Sequence, residues 1–132
     1  MIKLITGYNR DQHYTISDDE AHKAYYLFLN PEQRGVFNNG LALIGKNIHT
    51  IQPDFQATMG WNQTHELGND DWEDIRSKGV DKKLNAVLEK AKQIAYMVEK
   101  NPQYMNMPLS EIQIDQLQFN KEIKSLSDKF KV

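Results

Sequence analysis

A chain of 132 residues with no cysteine and a formal charge of -2 has the size of one domain, and it excludes disulfide stapling, thiolate catalysis and cysteine-based zinc sites. Charge signs stay balanced along its length, which argues against a dedicated duplex-binding protein, because neutralising phosphates needs a net basic face. No apolar run approaches the roughly 18 residues that span a bilayer, and the start lacks the apolar segment of a signal peptide, so the expectation is a soluble intracellular protein without membrane contact.

Met1 to Thr6 and His13 to Ile16 read as two strands around the polar turn Asn9-Arg10-Asp11. Ser17 and Glu20 have the spacing of a capping box, which starts a helix running to Asn30. That start accounts for Asp18, Asp19 and Glu20 without a metal. Ala24, Leu27 and Phe28 give the helix its inward face, and Pro31 stops it by driving Asn30 away from helical angles.

Val36-Phe37, Leu41 to Ile44 and Ile48 to Ile51 are three β-prone segments separated by Asn38-Asn39-Gly40 and Gly45-Lys46-Asn47. Both separators tolerate positive φ, so two successive tight turns and an antiparallel meander are expected. With the N-terminal strands this gives an α+β fold: a small antiparallel β-meander of four to five strands covered by one helix. Pro53 ends the last strand because it cannot donate to a ladder. The continuation to Asn62 shows no clear period, and its Asp54, Phe55, Met59 and Trp61 are read either as a core plug or as partner-binding anchors. His49 and Asp54 could be drawn as an acid-base pair, yet no nucleophile or third member accompanies them, and a structural histidine is the better reading. His13, His22 and His65 lack metal-ligand spacing. Neither a metal, a cofactor nor a catalytic residue is therefore expected.

The order of KAYYLFLNPEQRGVF, then GLALIGKNIHTIQPDFQATMGWN, then DDWEDIRSKG resembles a group of small proteins carried by tailed phages and prophages, over about residues 1 to 100. The resemblance implies a phage setting and the cytoplasm of a bacterial host. It transfers no catalytic residue.

Beyond Leu67, a short helix over 70–78 carries Trp72 and Ile75, with Asn69 or Asp70 able to cap it. A strongly amphipathic helix follows over 80–100, with Leu84, Val87, Ala91, Ile94 and Val98 at alternating spacings of three and four. Ser110 and Gln113 offer a second capping box for a helix over 110–130. Residues 1–67 thus form an α+β head and 68–132 a helical tail, together one cooperative unit. Ile114 and Leu117 fall off the seam of the last helix: either its first turns are not helical, since EIQIDQLQF also alternates by two, or these residues meet another chain, and the reading preferred is a homodimer through Leu84, Val87, Ile94, Ile114, Leu117 and Ile123.

The preferred function is a non-enzymatic phage accessory protein that binds a host or phage macromolecule and so inhibits a host or defence factor. Alternatives are single-stranded nucleic-acid binding through Arg10, Lys23, Arg34 and Lys46, a structural virion component, and a small-molecule sponge.

Overall fold

β1 (Ile2–Thr6) is the central strand of a three-stranded antiparallel sheet, flanked by β2 (Gln12–Ile16) and β5 (Ile48–Pro53). Its alternation explains that place: Ile2, Leu4 and Thr6 point to one face and are almost completely buried, while Lys3 and Ile5 take the other. The computed structural model describes residues 1–7 and 12–113.

A second, two-stranded sheet is made by β3 (Arg34–Val36) and β4 (Ala42–Ile44). The turn expected at Asn38-Asn39-Gly40 closes it. Gly40 takes φ +87° and its N–H donates to the Phe37 carbonyl at 2.9 Å, while the Phe37 N–H donates to the Leu41 carbonyl at 2.8 Å. The second expected hairpin is absent. Gly45–Asn47 is a 3-10 turn, and β5 leaves the ribbon to pair with β1, with Leu4 opposite Ile51 and Ile2 opposite Pro53. The single meander is thereby replaced by two small antiparallel sheets.

Close packing explains the departure. The Gly45 N–H donates to the Gln33 carbonyl and the Lys46 N–H to the Pro31 carbonyl, at 2.8 and 2.9 Å. These bonds press the chain onto the end of α1 (Ala21–Leu29), where a Cβ on Gly45 would lie 1.9 Å from the Leu27 carbonyl oxygen. Only a residue without a side chain fits there.

α1 begins later than its sequence signal. Asp18–Glu20 is a 3-10 turn, and the Ser17 hydroxyl donates to the Glu20 carboxylate at 3.0 Å instead of capping a backbone N–H. The expected capping box does not form. Ala21, Ala24 and Leu27 are fully buried, as the pattern requires, but Phe28 is 44% exposed and His22 takes an inward position instead.

The segment after Pro53 is a short helix, α2 (Phe55–Met59), which the missing periodicity concealed. α3 (Asn69–Ser77) and α4 (Val80–Met97) lie where helices were expected over 70–78 and 80–100, with left-handed Gly79 between them, but the N-cap of α3 is Gly68, whose N–H the Asp71 carboxylate accepts, and not Asn69 or Asp70. α4 lies against α1 and β5, so Leu84 and Ile94 join Ile2, Leu4 and Leu27 in one core. Both are 0% exposed, which removes them from any face offered to a second copy; Val87 is only partly covered. Two of the three described residues of the dimer surface drawn from the sequence are therefore internal, because that part of the helix stripe is consumed inside its own chain.

The start of the expected last helix is also different. Leu109–Glu111 is a 3-10 turn, Ile112 is extended, and Leu109 and Ile112 are buried in the same core. The rest of that helix, with Ile114, Leu117 and Ile123, lies outside the described residues, as does Arg10. Among the described residues there are five strands and four α-helices, an α+β arrangement, and no helix is long and apolar enough to cross a membrane.

Gly45→Ala should lower unfolding stability by about 3 kcal/mol, since a methyl group must displace backbone rather than a flexible side chain. Gly40→Ala, with nothing within 4 Å of its added Cβ, should cost only about 1 kcal/mol for its left-handed backbone. Urea unfolding midpoints at unchanged m-value measure both.

Candidate functional site

β5 ends at Pro53, and the next residue organises the surface beyond it. The Asp54 N–H donates to the Met1 carbonyl at 3.0 Å, which fixes the chain to the start of β1. Its side chain turns inward and is 0% exposed. Asp54 Oδ1 accepts the Ala57 N–H at 3.0 Å, the N-cap bond that starts α2. Oδ2 accepts the Thr15 hydroxyl of β2 at 2.6 Å, and the Gln63 amide donates to both oxygens at 3.2 and 3.1 Å. A buried carboxylate is tolerable when donors surround it in this way. Burial by itself would raise its pKa, but the Thr15, Ala57 and Gln63 donors outweigh that effect and, with Lys3, hold it below the ordinary carboxylate value.

Gly60 closes α2 in the left-handed conformation, φ +76°. Its N–H donates to the Ala57 carbonyl, and the Trp61 N–H returns to the Gln56 carbonyl at 2.8 Å. Asp before and Gly after five residues are the sequence signals of such a helix. Phe55 meets Trp72 edge to face, centroids 5.2 Å apart at 73°, and thereby ties α2 to α3.

Trp61 leaves this capped helix onto a built support. Its indole lies on the His65 imidazole with centroids 4.7 Å apart and planes inclined by 34°. His65 Nε2–H donates to Asp71 Oδ2 at 3.1 Å, and the same oxygen accepts the Gly68 N–H at 3.0 Å. The Gly68 N–H, and then the His65 imidazole, hold the Asp71 carboxyl below its ordinary pKa. The loop between is closed by the His65 N–H on the Asn62 carbonyl and the Thr64 N–H on the Asn62 side chain.

Of the four anchors named from the sequence, Asp54 is therefore internal and unreachable by a partner, because its oxygens are consumed in capping. Phe55 is partly covered and engaged with Trp72. Met59 and Trp61 stay partly exposed at the end of α2, on either side of exposed Gly60. His65 and Asp71 were not foreseen; the only signal for Asp71 was its place in the first turn of α3, and nothing local pointed to His65.

The other candidates are dispersed. His49 Nε2–H donates to the Gly7 carbonyl at 2.6 Å, whereas the Asp54 carboxylate is bonded to Thr15, Ala57 and Gln63. Lys23 donates to the Val36 carbonyl at 2.9 Å and stands 5.6 Å from the Phe37 ring centroid, so its charge is spent inside the protein. Arg34 is exposed at the opposite end of the β3–β4 ribbon, paired in register with Ile44, and exposed Lys46 lies just beyond. Among the described residues no three His, Asp or Glu side chains gather into a set that could hold a metal ion.

No family model, curated protein or solved structure matches the chain. The reading of the site rests on its geometry.

Because the folded-state pKa of Asp54 is depressed, the stability it contributes is complete above the ordinary aspartate value near ~3.9 and is lost as pH falls through the lower folded value. Asp54→Ala should cost about 2 kcal/mol or more at neutral pH, from the lost N-cap and the orphaned Thr15 hydroxyl. It should also flatten the acid limb of stability against pH, which urea titrations between neutrality and pH ~3 would show.

Proposed function

We propose that the chain is a non-enzymatic binding protein that grips a protein partner, of the host or of the phage, through Met59 and Trp61. The observation that carries this reading is the Trp61 indole, partly exposed, resting at a 34° tilt on an imidazole that is itself hydrogen-bonded to Asp71. A tryptophan held in place before binding loses little side-chain freedom when a partner closes over it, so more of its burial energy appears as affinity. Exposed Gly60 carries no side chain and leaves the approach between the two anchors open.

The His65–Asp71 pair supports a positioning role better than a catalytic one, since its imidazole lies beneath the indole. The phage setting is supported by the resemblance of the central stretch, and an accessory protein of that kind would act by occluding a functional surface of its target. Of the described residues once read as a homodimer surface only Val87 stays partly exposed, because Leu84 and Ile94 are internal.

Trp61→Ala should reduce capture of the cognate partner from a bacterial lysate by more than about ten-fold, while changing unfolding stability by only about 1 kcal/mol or less. His65→Ala should weaken capture several-fold by releasing the indole. Quantitative mass spectrometry of the captured proteins decides the matter: the same partners at the same yield with wild type and Trp61→Ala would refute the reading.

A further inference from the structure

The two-stranded ribbon of β3 and β4 turns one face to α1 and the other to solvent. On the α1 side a Cβ at Gly35 would lie 2.8 Å from the Leu27 side chain, and Leu43 packs against the core. Alternation therefore sends Arg34, Val36, Ala42 and Ile44 outward. With Asn47 they line a groove of about 470 Å³. Val36 is 62% exposed there, more than any other large apolar side chain among the described residues.

The hydrogen bonds of the ribbon fix where its backbone points. The Phe37 N–H donates to the Leu41 carbonyl and the Gly45 N–H to the Gln33 carbonyl, at 2.8 Å each. Bonded and unbonded pairs alternate along an antiparallel ladder, so the bonded pair between these two is Gly35 with Leu43. The N–H groups of Ala42 and Ile44 and the Ala42 carbonyl consequently turn away from β3. Among the described residues no strand pairs with that side of β4. The other edge of the ribbon is occupied, since Lys23 of α1 donates to the Val36 carbonyl at 2.9 Å. The edge of β2 is met by the Asn39 side chain, which donates to the Thr15 carbonyl at 3.3 Å.

Open strand edges are ordinarily blunted by charge, proline or a bulge, because they template pairing with another chain. Leu41 to Ile44 carries none of these. Charge selects what can lie there. Arg34 is the one charged side chain in the groove, exposed and without an ion pair among the described residues, and Glu32 lies outside the groove wall. It stands opposite Ile44, so a residue added on the far side of Ile44 lies about 10 Å from it by two strand spacings. An arginine and a glutamate side chain together close that gap. A second copy would bring only the apolar β4 to this edge and no acid for Arg34. A nucleic acid would need aromatic platforms, and the groove contains none.

We infer that the free edge of β4 takes up an extended peptide as a third, antiparallel strand, with an acidic side chain opposite Ile44 held by Arg34 and an apolar one opposite Ala42. Main-chain bonds to Ala42 and Ile44 supply the attachment, and the alternate side chains supply the selectivity. The small Ala42 side chain leaves room for the apolar one to reach across and cover Val36. In antiparallel order the acid comes first and the apolar residue two places later. The site shares no residue with the Trp61 platform and does not depend on the reading given to that platform.

Amide NMR of the full chain tests this with a blocked hexapeptide, Thr-Glu-Thr-Val-Thr-Thr. At millimolar concentration it should shift the Ala42 and Ile44 amide resonances saturably and slow their exchange with solvent. The analogue with glutamine for glutamate should bind about four-fold more weakly, and Arg34→Gln should bring the two peptides to equal affinity. Ala42→Pro removes a donor that points away from β3 and should abolish the response at Ile44 while the protein melts near the wild-type temperature. Should that variant unfold, the two peptides on Arg34→Gln decide alone: a preference for glutamate that survives the substitution overturns the inference. Ala42 and Ile44 amides that stay unmoved, or that respond equally to a decathymidine strand, overturn it as well. A wild-type chain that sediments as a dimer and an Arg34→Gln chain that does so equally would give the edge to a second copy and overturn it too.

Discussion

The contact between Gly45 and the C-terminal carbonyls of α1 sets the course of the chain from there to the candidate site. Backbone lies against backbone at that point, with room for no Cβ, and the two hydrogen bonds to Pro31 and Gln33 hold it there. A chain pinned in this way cannot fold back on β4. It is sent across to the free side of β1, where Ile51 faces Leu4 and Pro53 faces Ile2. That delivery puts Asp54 beside β2, within reach of Thr15, and Asp54 in turn starts the helix that ends at Gly60 and Trp61. The surface anchor is thus positioned by a steric constraint a considerable distance back along the chain.

The parts of this path that were legible in the sequence are those governed by neighbours. Asn30-Pro31 ends α1, Asn38-Asn39-Gly40 turns the ribbon, Pro53 stops β5, and the stripe of α4 is buried along Leu84, Ala91 and Ile94. Each of these depends on a handful of consecutive residues. The pairing of β5 with β1 joins segments more than forty residues apart, and a hydrophobic pattern that fits either neighbour cannot choose between them. The choice was made by Gly45, whose role is a close approach rather than the positive φ that a turn-forming glycine suggests. α2 was missed for another reason. A five-residue helix is too short to show periodicity, and only its caps, Asp54 and Gly60, announce it.

The acidic residues show how one sequence signal can conceal two physical roles. Ser17 and Glu20 have capping-box spacing, and Asp54 stands in a stretch with no helical pattern; it is Asp54 that caps a helix and Glu20 that does not. Glu20 instead accepts the Asn38 N–H, a residue on the β3–β4 turn, so its carboxylate couples the ribbon to the start of α1. His22 likewise reaches Tyr104, which lies 82 positions away in the chain. A local signature records that a carboxylate is useful near a helix start. Which donor it meets is decided by segments that arrive from elsewhere.

That difference separates the two regions of interest energetically. Around Asp54 both carboxylate oxygens are matched by donors: the carboxylate is fully buried, its proton affinity is lowered, and just beyond the helix it caps stands Trp61, an aromatic side chain resting on the His65 ring. Around His22 the matching is incomplete by one acceptor, and a cleft lies beside it. The first arrangement suits recognition of a surface, because a prepositioned anchor needs no further ordering. Among the described residues no hydrogen bond or ring contact joins the Asp54 and Trp61 region to Glu20 and His22, so substitutions in each should act additively on stability.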